Sequence, residues 1–213
     1  MLVGLIASGL VQSPSSKTWF GVVKTYSALV GDAGVALLGG PWNLLNAAAG
    51  VFLLLTMTGW MGIKVSNTKA RDMVWADQLW FWVVAYDLWN IAYCYNSISS
   101  RAMYAGVALI VSSTICELFI CKGVWLQHRA QTLALFGMFS LAVDYQAMPA
   151  FQITATCAPT AWPVLSAIAL VANVAVFVFE IYYILKTKRN PLKEELYTDL
   201  NAYKENLKEN GLL

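Results

Sequence analysis

Residues 41 to 63, from Pro41 through Phe52 to Ile63, contain no charged side chain, and this run limits the fold more than any other feature of the chain. Crossing the hydrocarbon layer of a bilayer takes a helix of roughly 20 mostly apolar residues, because in lipid each backbone polar group must find its partner within the segment. The run is long enough, and the Gly39-Gly40-Pro41 break ahead of it suits a helix start.

Four more runs of this kind follow. Val74 to Tyr95 is crowded with Trp75, Trp80, Trp82 and Trp89 but carries Asp77 and Asp87, so it spans only if those carboxylates face protein or water. Residues 102 to 121 are interrupted by Glu117 alone. Residues 126 to 147 have His128 and Arg129 near the start and Asp144 near the end. Their uninterrupted centre, Thr132 to Val143, is short, and snorkelling at both ends would have to complete the span. The fifth run, Trp162 to Leu185, is broken only by Glu180 and stops at Lys186, Lys188 and Arg189. The expectation is an all-α polytopic transmembrane bundle of about five spanning helices, residues 41 to 189. With 59% hydrophobic and 12% charged residues, the chain is more apolar and less charged than soluble domains, which rarely tolerate the exposed patches this would create.

Lys and Arg accumulate on the cytoplasmic side of membrane proteins. An inside C-terminus puts Lys64, Lys69 and Arg71 in one inner loop, Lys122 and Arg129 in the next, and Lys186, Lys188, Arg189 and Lys193 after the last helix. Outside fall Arg101, together with Lys17 and Lys24, which count against the scheme. Within residues 1 to 40, Met1 to Val11 reads as the end of a helix whose beginning is absent, hence a truncated chain or late start, with a re-entrant or interfacial segment as the alternative. Residues 18 to 30 place Trp19, Val22, Val23, Tyr26 and Leu29 at the spacing of an amphipathic surface helix. After the bundle, residues 190 to 213 read as a cytoplasmic amphipathic helix. Asn190 would cap it, Pro191 would take its first position, and Leu192, Leu196, Leu200, Tyr203 and Leu207 would form one stripe. That helix would pack on inner loops or headgroups, or bind a protein partner or a second copy.

The four cysteines form no C-x-x-C and have no paired histidine, so no metal or redox motif is indicated. Cys94 and Cys157 would both lie toward the outer face in this topology, so a disulfide between them is conceivable. No cofactor is expected. The last span has no mid-membrane lysine for retinal, His128 is the single histidine, and neither H-E-x-x-H nor G-x-S-x-G occurs. A net charge of +2 does not suggest a nucleic-acid partner.

Ionisable groups inside a membrane are costly, so they are the main functional clue. Sorted by depth they form two layers. Asn43 and Asn46 on the first span, with Asp87 and Asn90 on the second, could line an outer polar pocket for a small polar solute or a proton. The structural alternative is interhelical hydrogen bonding. The inner layer holds Glu117, His128, Arg129 and Glu180. There a Glu117–Arg129 pair shared with Glu180 would fix helix packing, with a proton or ion gate as the alternative. Asp77 is expected at the interface, solvated.

The segment Ala85-Tyr86-Asp87-Leu88-Trp89-Asn90, continuing to Tyr95-Asn96, and the segment Trp125-Leu126-Gln127-His128-Arg129-Ala130-Gln131-Thr132 resemble an uncharacterised bacterial multi-pass membrane family, domain of unknown function 5692. The likeness covers roughly residues 74 to 140. It implies a bacterial cytoplasmic membrane address and supplies no functional residues. Three functions remain open on the residues: a small-solute or proton-linked carrier or channel; a structural or regulatory membrane subunit holding a partner; and a membrane-embedded enzyme, for which no nucleophile and base pair is visible.

Overall fold

The computed structural model describes residues 21–23, 37–97, 109–143, 148, 158 and 160–213. Its described residues are mostly helical: α1 (Trp42–Leu55), α2 (Trp80–Ser97), α3 (Ser112–Phe119), α4 (Trp125–Ala142), α5 (Ala161–Thr187) and α6 (Asn201–Glu209). Two short antiparallel ladders join them, β1 (Gly21–Val23) with β2 (Leu37–Gly39) and β3 (Lys64–Val65) with β4 (Met73–Val74).

Helices α1, α2 and α5 pack mutually, while α3 pairs with α4 and touches α2. Trp42 stacks on Trp162 with ring centroids 4.7 Å apart, and Phe81 meets Phe179 edge-on at 5.3 Å. The start of α5 therefore lies beside the start of α1 and the end of α2, so α2 runs antiparallel to both neighbours. Gly50 permits the α1–α2 approach, since a Cβ there would press on the Trp89 indole. Ala47, Ala49, Leu53, Val83 and Ala169 fill the seam with small and medium side chains.

Alongside its apolar cores the structure buries several polar side chains and exposes many large aliphatic ones. Asn43, Asn46 and Ser166 are 0% exposed and Asn173 1%. On the outside, Leu141 is 92% exposed, Leu185 69% and Val171 68%. Soluble domains do the reverse with large aliphatics in such number.

The expected runs are only partly realised as helices. α5 is long and apolar enough to cross a bilayer, and it is the single such helix among the described residues. α1 stops at Leu55 rather than continuing to Ile63. Thr56 turns its hydroxyl onto the Leu53 carbonyl, Gly59 adopts a left-handed φ of 68°, and Trp60–Gly62 form a 3-10 turn. α2 begins at Trp80 rather than Val74, and its Asp87 and Asn90 lower its apolar character, as Gln127, His128 and Arg129 do for α4. The described part of the third run is an α-helix only from Ser112. Of the amphipathic helix expected over 18–30, the described residues Gly21–Val23 are instead a strand, in keeping with the β-branched pair Val22 and Val23. The half-helix at Met1–Val11, Arg101, Asp144 and Cys157, with its disulfide, lie outside the described residues.

Past Lys188, whose left-handed φ of 61° ends α5, the chain folds back under the bundle. Helix is confined to Asn201–Glu209, not the whole of 190–213. Asn190 does initiate a turn, its Oδ1 accepting from the Leu192 amide at 3.0 Å. The turn cannot propagate because the Leu196 and Tyr197 amides donate to the Asp77 carboxylate, at 3.0 and 2.8 Å, instead of to carbonyls one turn back. Leu196, Tyr203 and Leu207 are buried with Val74, Ala76, Leu79 and Val124 in a second core, whereas Leu192, assigned to the same stripe, is 75% exposed.

Candidate functional site

Two polar centres are built on opposite sides of α2. On the α3–α4 side, Asp87 accepts a 2.6 Å hydrogen bond from the Thr114 hydroxyl of α3 through Oδ2. One turn on, Asn90 donates to the Tyr86 hydroxyl oxygen at 3.1 Å. Arg129 of α4 donates to the same oxygen through Nε at 3.3 Å, and its guanidinium sits 5.9 Å from the Tyr86 ring centroid. The guanidinium acts on the Asp87 charge through space. It joins none of the ion pairs among the described residues, which are Lys64–Glu195, Lys122 with Glu205 and Glu209, and Arg189–Asp199. Asp87 Oδ1 and Arg129 Nη1 are both buried without a hydrogen-bond partner in the protein. A charged acceptor and a charged donor thus occupy one cluster and do not satisfy each other.

On the α1–α5 side, Asn46 and Trp89 bond reciprocally. Asn46 Nδ2 donates to the Trp89 carbonyl at 3.3 Å, and the Trp89 indole donates to the Asn46 carbonyl at 2.8 Å. Asn173 of α5 donates to the Ala85 carbonyl at 3.1 Å and to the Ala169 carbonyl at 2.8 Å. Asn96 donates to the Trp162 carbonyl and the Ser166 hydroxyl, at 3.0 and 2.7 Å.

The expected outer pocket therefore divides. Asp87 and Asn90 share a centre, while Asn43 and Asn46 are buried on the other side of α2, with Asn46 tied to Trp89. The expected inner layer divides as well. Arg129 joins Asp87 and Asn90 rather than Glu117. Glu117, 3% exposed, accepts from the Gly123 and Val124 amides at 2.7 and 3.1 Å and so holds the start of α4. Glu180 is buried at the far end of α5 near Asp77, with Oε2 unpartnered. His128 Nδ1 is likewise buried without a partner. Thr114, which donates to Asp87, was not legible in the sequence because its spacing to Asp87 has no signature. Ser166 and Asn173 could have been found, since they precede the expected Glu180 at seven-residue intervals on α5.

Below the bundle, Asp77 is 1% exposed, not solvated as expected. Besides the two tail amides it accepts the Thr58 hydroxyl at 2.6 Å. Burial raises its pKa above the usual aspartate value, and the Thr58, Tyr197 and Leu196 donors offset this only in part. No cluster of three or more potential metal ligands occurs among the described residues.

Residues 32–209 match the model of a family of unknown function, DUF5692. No curated protein and no solved structure matches the chain.

Proposed function

The chain belongs to DUF5692, a family of unknown function, so its activity must be argued from its own residues, and we propose that it is a multi-pass membrane protein that binds a small polar solute between α2, α3 and α4 and carries it across the bilayer. The exposed large aliphatics and the buried polar side chains support residence in lipid, where interhelical hydrogen bonds replace hydrophobic burial. α5, about 40 Å long at 1.5 Å per residue, crosses unaided. The shorter α1, α2 and α4 cross as a bundle with local thinning of the bilayer. Lys64, Lys122 and Arg189 all lie beside the tail through their ion pairs, which favours a cytoplasmic tail in a bacterial inner membrane.

The observation that carries the solute reading is the pair of unsatisfied atoms, Asp87 Oδ1 and Arg129 Nη1. An unpaired buried charge is expensive. A solute presenting a donor to Asp87 and an acceptor to Arg129 would satisfy both, with Tyr86, Asn90 and Thr114 fixing their orientation. An ionisable acceptor at such a site also suits proton-linked transport. The tail's apolar side chains pack inside the chain itself, which gives the partner-holding reading less to work with.

A thermal-shift screen of polar metabolites on detergent-solubilised protein tests the proposal. A stabilising compound is expected whose affinity falls about tenfold or more in Asp87→Asn and in Arg129→Gln, a loss of at least 1.4 kcal/mol each. Arg129→Lys should recover little, because it keeps the charge and loses the planar fork. Equal responses in wild type and variants, or no response to any compound, would exclude this site.

A further inference from the structure

The amide side chains on the α1–α5 side of α2 share a geometric peculiarity. In each of Asn46, Asn173 and Asn96 the nitrogen donates to a backbone carbonyl, which pins the amide orientation, since a flip would set oxygen against oxygen. Each side-chain oxygen consequently faces away from that backbone carbonyl, and in all three it has no partner in the protein. The three residues are 0%, 1% and 0% exposed, so lipid and bulk water do not reach them. Glu180 adds a fourth such oxygen, Oε2, with the residue 3% exposed.

These groups are ordered along the bundle. Asn173 and Asn46 bond to the carbonyls of Ala85 and Trp89, one turn apart on α2. Asn96 lies about 10 Å farther along α2 with Ser166, and Glu180 a similar distance beyond Asn173 on α5. The row runs from the Trp42–Trp162 stack at one end to Glu180, close to Asp77, at the other. Between Asn96 and Glu180 these orphans are acceptors, and Trp162 Nε1, in the stack that closes the row, is a buried donor without a partner. Leaving a buried acceptor unsatisfied costs about 1–3 kcal/mol, and a row of four is poor structural glue.

Oxygen acceptors without accompanying donors suit a species that offers only positive charge. Carbonyl oxygens that replace a hydration shell, with a carboxylate nearby for charge, are the chemistry by which channels and carriers hold small cations. We infer that the row formed by Asn96, Asn46, Asn173 and Glu180 between α1, α2 and α5 is a path for a small monovalent cation, either an alkali ion or hydronium. It lies on the other side of α2 from the solute centre and does not depend on it.

The test uses the full chain in nanodiscs, titrated with sodium or potassium chloride at constant ionic strength balanced by choline. Melting temperature and tryptophan fluorescence are read together, Trp89 being bonded to Asn46 and so within the row. In a parallel arm, proton entry into proteoliposomes is followed with a trapped pH dye. Path occupancy by an alkali ion predicts a saturable response to sodium or potassium, about tenfold weaker in Glu180→Gln and stronger in Asn173→Asp, because the added charge enters the row. Occupancy by hydronium predicts instead a proton flux that Glu180→Gln cuts about tenfold. A gain in Asn173→Asp is something a misfolded variant cannot mimic. If neither salt nor a pH gradient produces a response above empty vesicles, or if both variants behave as wild type, the inference is overturned.

Discussion

Asp77→Ala is expected to release residues 190–213 from the bundle and to be among the most destabilising single changes in the chain. The carboxylate accepts from two tail amides and from Thr58, and all three donors would lose their partner at once within a buried site. Leaving a buried donor without its partner costs about 1–3 kcal/mol, and the three do not add fully, so a net loss of about 3 kcal/mol or more is expected. Gly59 reinforces the point, because a Cβ at that left-handed position would run into the Asp77 side chain. Hydrogen exchange at Leu196 and Tyr197, together with protease sensitivity around Lys193, reads the release directly. Unchanged protection at those amides would show that the tail is held by its apolar contacts alone.

The same group gives a pH dependence whose sign follows from its environment. Burial holds the folded Asp77 carboxyl above its ordinary pKa, so the folded chain binds this proton more tightly than the unfolded chain does. Its contribution to docking is then complete below about pH 4, the ordinary aspartate value, and is lost as pH climbs through the raised folded value. Glu195, whose charge also opposes ionisation of Asp77, works in the same direction. Asp77→Asn should flatten this dependence while costing less than the alanine change. A docking equilibrium that strengthens with rising pH over that window would contradict the assignment.

The second large effect is expected at Glu117. Its carboxylate receives the Gly123 and Val124 amides where a left-handed Gly123, φ 80°, turns the chain into α4. Glu117→Ala leaves those amides orphaned at a buried helix start, at a cost of about 2–4 kcal/mol. Glu117→Gln retains one acceptor and should lose roughly half as much. The consequence reaches the Asp87–Arg129 centre, because Trp125 in the first turn of α4 packs against Trp82 and Tyr86 and Arg129 follows one turn later. Near-ultraviolet circular dichroism and solute affinity should therefore fall together in Glu117→Ala. If the aromatic signal persists while affinity drops, Glu117 acts on the solute more directly than its position at the helix start implies.

Sequence reading recovered what depends on spacing within one segment. The extent of α5, Ala161–Thr187, is close to the run Trp162–Leu185 because an apolar stretch ended by cationic residues has few alternatives. Asp87 and Asn90 share a centre because three residues apart on a helix is one face. What escaped depends on pairing between segments. Depth placed Arg129 with Glu117, but Glu117 is satisfied by amides only six and seven residues away, and Arg129 turns to Tyr86. Asp77 looked like an interfacial carboxylate because nothing in its neighbourhood announces that Leu196 and Tyr197 return to it. The tail's helix was overextended for the same reason, since its amides have a better acceptor elsewhere.

The tail rests on three stretches far apart in sequence. Asn206 donates to the Ala76 carbonyl, Asn210 to that of Lys122, and the Asn67 amide to that of Asn210. Ribosomes make residues 190–213 after all of these, so throughout synthesis the three stretches lack this fastening. Arrival of Tyr203 and Asn206 then closes the second core. A stop codon ahead of Asn201 would thus leave the α1–α2–α5 core intact and free the segments at Asn67, Ala76 and Lys122 from their common support.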